Sequence, residues 1–299
     1  MSATDRRSDN SNASAWVVHK FGGSSVADAQ CFERVARIIE SPPFNAPARL
    51  AVVLSACKGV TDELLQLVAL AERRDESWRT RLAALRARHA GIAAELLDAA
   101  SAAEYLAEFD RDSTDVAGVL QTTSVMRSAA QSVSDLTAGF GEIWSTRLFS
   151  RYLQQRGIRG GVQWIDARRC VVVEWGPLGP AVQWQQSRAQ LTELIGGQAA
   201  GTAQQSQQTL VITGFIATDP RGVQTTLGRN GSDFSASIFG ALLDAAEIHI
   251  WTDVDGVLSA DPRRVPDAQV IDSLSYNEAM ELAYFGAKVI HPQTMAPAV

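Results

Sequence analysis

Cysteine is scarce in this sequence: Cys31, Cys57 and Cys170 are the three in 299 residues. They are odd in number, far apart and not at metal-ligand spacing, so no disulfide framework or thiolate metal site is expected. Each sits in an apolar context and is expected to be a buried free thiol, as suits a reducing cytoplasm. No basic-then-apolar segment opens the chain and no run of ~18 apolar residues occurs, so neither a signal peptide nor a membrane span is expected. The pattern G-x-x-x-x-G-K-[ST] is absent, which excludes a Walker A loop, and the absence of G-x-G-x-x-G removes the main argument for a dinucleotide. No Ser-His-Asp or Cys-His arrangement is visible, and there are no internal repeats. A net charge of −6 argues against nucleic acid as a partner but leaves room for a local basic pocket.

What is present reads as a globular α/β chain. Apolar residues make up 46% and charged residues 20%. Residues 1–15 are polar and aperiodic, a tail expected to be disordered. Trp16–Phe21 is a β-branched and aromatic run, and Gly22-Gly23-Ser24-Ser25 separates it from a helical repeat of Phe32, Val35, Ala36 and Ile39. Leu50–Ser55 is a second strand without polar alternation, the mark of a parallel sheet covered on both faces. Thr61 reads as an N-cap with Asp62 and Glu63 in the first turn. Leu82, Leu85, His89, Ile92 and Leu96 continue a helical stripe, on which His89 reads as structural. Residues 98–138 are helical in composition, Gly139-Phe140-Gly141 breaks the pattern, and a helix is expected from about 142 to 156. Glu142 is then either a first-turn charge or a site carboxylate. Short strands are expected at Val162–Asp166, Cys170–Glu174, Thr209–Ile216 and Glu247–Trp251, with a surface loop over 196–208. Ser275 and Glu278 form a capping box for a last helix. Alternating strands and helices predict a doubly wound α/β sandwich with ligands at the carboxyl ends of its strands. Lys20, Ser55, Gly214, Thr252 and Asp253 all fall at or just past such ends.

The stretch 225–236 stands out. Gly228 and Gly231 flank Arg229, then Ser232 and Asp233 precede an apolar helical run. It reads either as a loop receiving an anion at a helix start or as a turn with a Ser/Asp N-cap. With Lys20, Lys288, the glycines at 22 and 23, and the acids Glu142 and Asp253, the constellation suits phosphoryl transfer, which asks mainly for positioning and charge neutralisation.

Four ordered motifs carry a resemblance to the aspartate kinases: Lys20–Val26 (KFGGSSV), Leu227–Asp233 (LGRNGSD), Trp251–Val257 (WTDVDGV) and Phe285–Pro292 (FGAKVIHP). It runs from Trp16 to the end of the chain and is weak near 98–138 and 196–208. The resemblance implies the amino-acid-kinase fold, a three-layer αβα sandwich with a mainly parallel central sheet, aspartate in the N-terminal half and ATP in the C-terminal half. It implies phosphoryl transfer from Mg-ATP to the β-carboxylate of L-aspartate, the first step towards lysine, threonine and methionine. Lys20 would hold the transferring phosphoryl group, and Phe21, Gly22, Gly23 and Ser24 would line the phosphates. Ser55, Thr61, Glu142, Arg229 and Ser232 would contact aspartate, with Glu142 facing its ammonium and Arg229 its α-carboxylate. Asp233 would orient substrate and lysine. Thr252, Asp253, Leu258, Arg263 and Lys288 would contact nucleotide. Mg²⁺ would arrive on the ATP phosphates, not in a protein cage.

Departures accompany the resemblance. Ser24 stands where threonine is commoner, Phe140 is unusual, and Asn230 is closer to bifunctional forms fused to a homoserine dehydrogenase or a diaminopimelate decarboxylase. The family continues past His291-Pro292 into a further strand and regulatory ACT domains through which it dimerises. The chain is therefore expected to be a catalytic domain without feedback control, and a homodimer only with those domains. Another carboxylate or carbamate kinase of the same fold, or an impaired amino-acid-binding fragment, are the competing readings.

Overall fold

A computed structural model describes residues 15–41, 49–158, 160–177, 179–196, 208–254, 256–260, 265, 267–284 and 292–298. Residues 197–207 of the predicted loop 196–208 and all but one residue of the predicted tail lie outside them. Nine strands and nine helices are described: β1 (Trp16–Phe21), α1 (Ala29–Glu40), β2 (Arg49–Leu54), α2 (Val60–Glu72), α3 (Ser77–Leu96), α4 (Ala99–Met126), α5 (Gln131–Gln155), β3 (Val162–Ile165), β4 (Val173–Gly176), β5 (Gly179–Val182), α6 (Trp184–Gly196), β6 (Thr209–Thr213), β7 (Ile216–Thr218), β8 (Gln224–Thr226), α7 (Gly231–Leu242), β9 (Glu247–Trp251), α8 (Tyr276–Tyr284) and α9 (Pro292–Met295).

Five strands form the central sheet in the order β3-β6-β2-β1-β9, every pair parallel. Parallel pairing demands crossovers that cover both faces, and β2 and β6 are accordingly apolar between their ends. Register assigns the faces. His19 lies level with Val52 and His249, and Val52 with Val211, which lies level with Trp164. On that face the α5 side chain Arg147 sits over the Trp164 ring at 4.9 Å, and Phe149 of α5 stacks on Phe32 of α1. Lys20 and Ile250 share the opposite face, where α7 packs and Asp233 reaches Lys20. The result is a three-layer αβα sandwich. Its core runs from Val18 and Leu54 in the sheet to Phe32, Leu64, Trp144, Phe149 and Phe239 in the helices, all buried. His89 is buried in that core as the sequence predicts: its Nδ1 meets the Leu85 carbonyl at 2.9 Å, and burial pushes its pKa down to about 4.

Several boundaries differ from the sequence expectation. Helix α5 runs straight through Gly139-Phe140-Gly141, so Glu142 lies in mid-helix and is not a first-turn charge. A Cβ on Gly141 would stand 2.7 Å from the Ala56 Cβ, so glycine here permits helix and loop to touch. That packing offsets the roughly 1 kcal/mol cost of glycine in a helix. Helix α2 is capped by Gly59 at φ 79°, two residues earlier than expected, and Thr61 is its second residue. The strand expected over 209–216 is broken at Gly214-Phe215, and its end pairs with β8 in a separate hairpin. The strand expected at Cys170–Glu174 begins at Val173 and pairs antiparallel with β5. Cys57 and Cys170 are buried free thiols, whereas Cys31 is half-buried. The Ser275–Glu278 capping box forms as predicted: Glu278 Oε2 accepts from the Ser275 N–H at 2.8 Å, and the Glu278 N–H donates to the Ser275 hydroxyl at 3.2 Å.

Candidate active site

The carboxyl ends of β1, β2 and β6 open onto one cleft of about 340 Å³. Its lining includes Lys20, Gly22, Gly23, Ser55, Thr61, Glu142, Ser232 and Asp233, residues from four separated segments of the sequence. Backbone bonds hold those strand ends level: the Ser55 N–H donates to the Phe21 carbonyl at 3.2 Å and the Gly214 N–H to the Leu54 carbonyl at 2.9 Å.

On the α7 side, Lys20 Nζ lies 2.6 Å from Asp233 Oδ1, with side chains 12% and 21% exposed. A half-buried pair of this kind fixes the ammonium in one place, which an exposed pair does not. Asp233 is therefore not the helix cap. The N-cap of α7 is Asn230, in the left-handed region at φ 57°, and its carbonyl accepts from the Asp233 N–H at 3.0 Å. The carboxylate is left free to face Lys20.

On the α5 side, Glu142 is buried. Its Oε1 accepts from the Ala56 N–H at 3.2 Å, and Oε2 has no hydrogen-bond partner among the described residues. Burial raises its pKa to about 8, against the pull of the Ala56 N–H in the other direction. Ser145, one turn further on, donates from its hydroxyl to the Ser55 carbonyl at 2.7 Å and ties the helix to the same loop. Glu142 thus lines the cleft as a buried carboxyl with no cation bonded to it among the described residues.

Between these walls lies the turn Gly22-Gly23. A Cβ on Gly23 would stand 2.8 Å from the Ala56 carbonyl oxygen, and one on Gly22 would stand 3.3 Å from Lys20 Nζ. The Lys58 N–H donates to the Gly23 carbonyl at 3.0 Å and joins the two loops. A glycine turn that brings bare backbone beneath a fixed ammonium is the chemistry of a polyphosphate cradle. Such a cradle also fits a divalent cation carried by the phosphates.

Other predicted site residues fall outside the cleft lining. Phe21 is buried and stacks on Trp251, with ring centroids 5.6 Å apart. Ser24 is exposed in a short 3-10 turn spanning Gly23–Val26. Arg229 is exposed on the turn between Gly228 and Asn230, both of which line the cleft. Thr252 and Asp253 are exposed just past β9, at the same end of the sheet, with the Thr252 hydroxyl 3.2 Å from Asp253 Oδ1. Leu258 forms an isolated bridge with Val270. Arg263 and Lys288 lie outside the described residues, as does the segment Phe285–His291. Phe215 and Lys58 line the cleft and were not expected there. Phe215 takes φ 66°, a costly conformation for an aromatic residue. It is held because its N–H donates to Ser235 Oγ at 2.9 Å and its carbonyl accepts from the Leu227 N–H at 2.7 Å. The glycine before it was the only local sign of that break.

Comparison with known proteins bears on the family and the fold. A profile described as the amino acid kinase family matches residues 15–299. The chain is 39% identical over 285 residues to the chloroplastic bifunctional aspartokinase/homoserine dehydrogenase of Daucus carota, covering 94% of this chain and 29% of that one. It is 37% identical over 292 residues to lysine-sensitive aspartokinase 3 of Escherichia coli, covering 95% and 59%. The crystal structure of E. coli aspartokinase III in complex with aspartate and ADP superposes with a TM-score of 0.77 at 34% identity, again covering 94% of this chain and 59% of that one. The chain thus spans less than two thirds of the length of these relatives.

Proposed function

The chain belongs to the amino acid kinase family, and we propose that it transfers a phosphoryl group from Mg-ATP to the β-carboxylate of L-aspartate, giving 4-phospho-L-aspartate. In this reading it is the catalytic domain of an aspartate kinase working in a cytoplasmic setting, on the path to lysine, threonine and methionine. Its N-terminal half takes aspartate and its C-terminal half takes ATP. The observation that carries the proposal is the pairing of Lys20 with Asp233 at 2.6 Å in the same cleft as buried Glu142 and the Gly22-Gly23 turn.

A zwitterionic substrate needs an anion for its ammonium and a cation for its α-carboxylate. Glu142 Oε2 supplies the first and Arg229 the second, because the planar guanidinium fork binds a carboxylate through two hydrogen bonds. Ser55, Thr61 and Ser232 contribute short polar groups along the way. The β-carboxylate is ionised at neutral pH and attacks without a general base. The difficulty is bringing one anion to another. Lys20, held over Gly22 by Asp233, meets the charge that develops on the transferring group. Thr252, Asp253, Leu258, Arg263 and Lys288 are assigned to the nucleotide. Mg²⁺, when bound through the phosphates, supplies further charge neutralisation.

The test is ADP release with Mg-ATP and, side by side, L-aspartate, L-glutamate, N-acetylglutamate and carbamate. Turnover with aspartate well above the other three is expected. A preference for any of the others would overturn the proposed acceptor.

A further inference from the structure

We infer that Arg88 is a positioning residue for phosphoryl transfer, acting through the two loops that build the phosphate cradle. The cradle assignment rests on the function proposed above. Arg88 lies on α3, outside the cleft lining. Its guanidinium reaches up between the loops. Nη1 donates to the Lys58 carbonyl at 2.9 Å and Nη2 donates to the Ala27 carbonyl at 2.9 Å. Lys58 belongs to the loop Ser55–Gly59 that follows β2, and Ala27 closes the short turn that follows Gly22-Gly23. One planar fork therefore holds both loops at a set separation, and the Lys58 N–H to Gly23 carbonyl bond spans the same gap above it. Lysine or glutamine has no such fork and cannot hold both carbonyls in the same plane.

The rest of α3 does not depend on this contact. Leu85, His89 and Ile92 bury its apolar face, so removal of the guanidinium is expected to loosen the cradle while the helix keeps its place. The sequence offers no sign of this role, because Arg88 is one of several charges on an amphipathic helix.

The test measures binding of a non-hydrolysable Mg-ATP analogue and of L-aspartate by calorimetry, with thermal melting in parallel, for the full chain and for Arg88→Ala, Arg88→Lys and Arg88→Gln. Two charge-assisted hydrogen bonds are lost in Arg88→Ala, and nucleotide affinity is expected to fall about 10- to 100-fold. Aspartate affinity should fall less, through Ser55 and Ala56 of the same loop. Millimolar guanidinium ion should restore part of the nucleotide binding of Arg88→Ala. Lysine and glutamine, each able to hold a single carbonyl, should fall between. Unchanged nucleotide affinity, an equal loss for both ligands, or no response to guanidinium would overturn the proposal. If Arg88→Ala does not fold, the same comparison in Arg88→Lys and Arg88→Gln decides. Aspartate turnover by the unsubstituted chain is scored separately. Its absence alongside nucleotide binding that depends on Arg88 would remove the proposed acceptor and leave the role of Arg88 standing.

Discussion

Two carboxylates face one cleft from helices on opposite faces of the sheet, and they differ in where their counter-charge comes from. Asp233 on α7 has a lysine 2.6 Å away. Glu142 on α5 has one backbone N–H and, among the described residues, no cation, and burial raises its pKa to about 8. The first pair is complete before any ligand arrives and serves to fix an ammonium. In the proposed function the second carboxylate is completed by the substrate ammonium and selects for it. The difference follows from packing: Asp233 stands at a helix start beside a strand end, whereas Glu142 is drawn into the interior where Gly141 lets its helix press against the Ala56 loop.

The preformed pair breaks with the largest effect. Lys20→Ala removes the cation that meets developing charge, and kcat is expected to fall roughly 10²- to 10³-fold. Aspartate affinity, measured separately, should change far less. Turnover that survives the substitution would place the critical cation elsewhere.

The packing that creates the other half can be broken without touching a charge. In Gly141→Ala the new Cβ would lie 2.7 Å from the Ala56 Cβ, so α5 must shift away from the loop. Such overpacking costs about 1–3 kcal/mol, which urea unfolding would register as a lower midpoint. The Ala56 N–H to Glu142 bond should lengthen with it, and aspartate KM should rise. An unchanged midpoint would mean that the close approach is not what buries Glu142.

The same contrast explains what the sequence showed and what it hid. Strand β2 was legible because its apolar run is continuous, and β1 and β9 because β-branched and aromatic residues dominate them. The Ser275–Glu278 box was legible because capping is local. Of the cleft-lining residues, Lys20, Gly22, Gly23, Ser232 and Asp233 were legible because their motifs are contiguous in sequence, whereas Ser55, Thr61 and Glu142 lie outside those motifs and were assigned to the substrate by the resemblance alone. Helix α5 was misread because propensity assigns a break to Gly139 and Gly141, and only tertiary packing, Gln224 and Ile216 against Gly139 and Ala56 against Gly141, offsets that cost. Thr61 was misread as a cap because Gly59 can take φ 79° and start the helix earlier. Phe215 was missed because nothing local requires an aromatic residue at positive φ. Its hydrogen bonds come from Ser235 and Leu227, later in the chain.

Titration of Glu142 sets the two carboxylates apart most sharply. Its folded pKa lies above its ordinary value of 4.5. The ligand-free fold therefore gains from this group below pH 4.5 and loses that contribution as pH rises towards about 8. A bound ammonium reverses the preference and favours the ionised form, so aspartate binding below pH 8 must release a proton. The decisive measurement is aspartate affinity between pH 6 and pH 9, with proton release followed calorimetrically in two buffers, for the unsubstituted chain and for Glu142→Gln. Affinity of the unsubstituted chain should rise about tenfold per pH unit and level off near pH 8. Glu142→Gln should bind more weakly at pH 8 with a flat profile and no proton release. Identical pH profiles for the two proteins would contradict the assignment of Glu142 to the substrate ammonium.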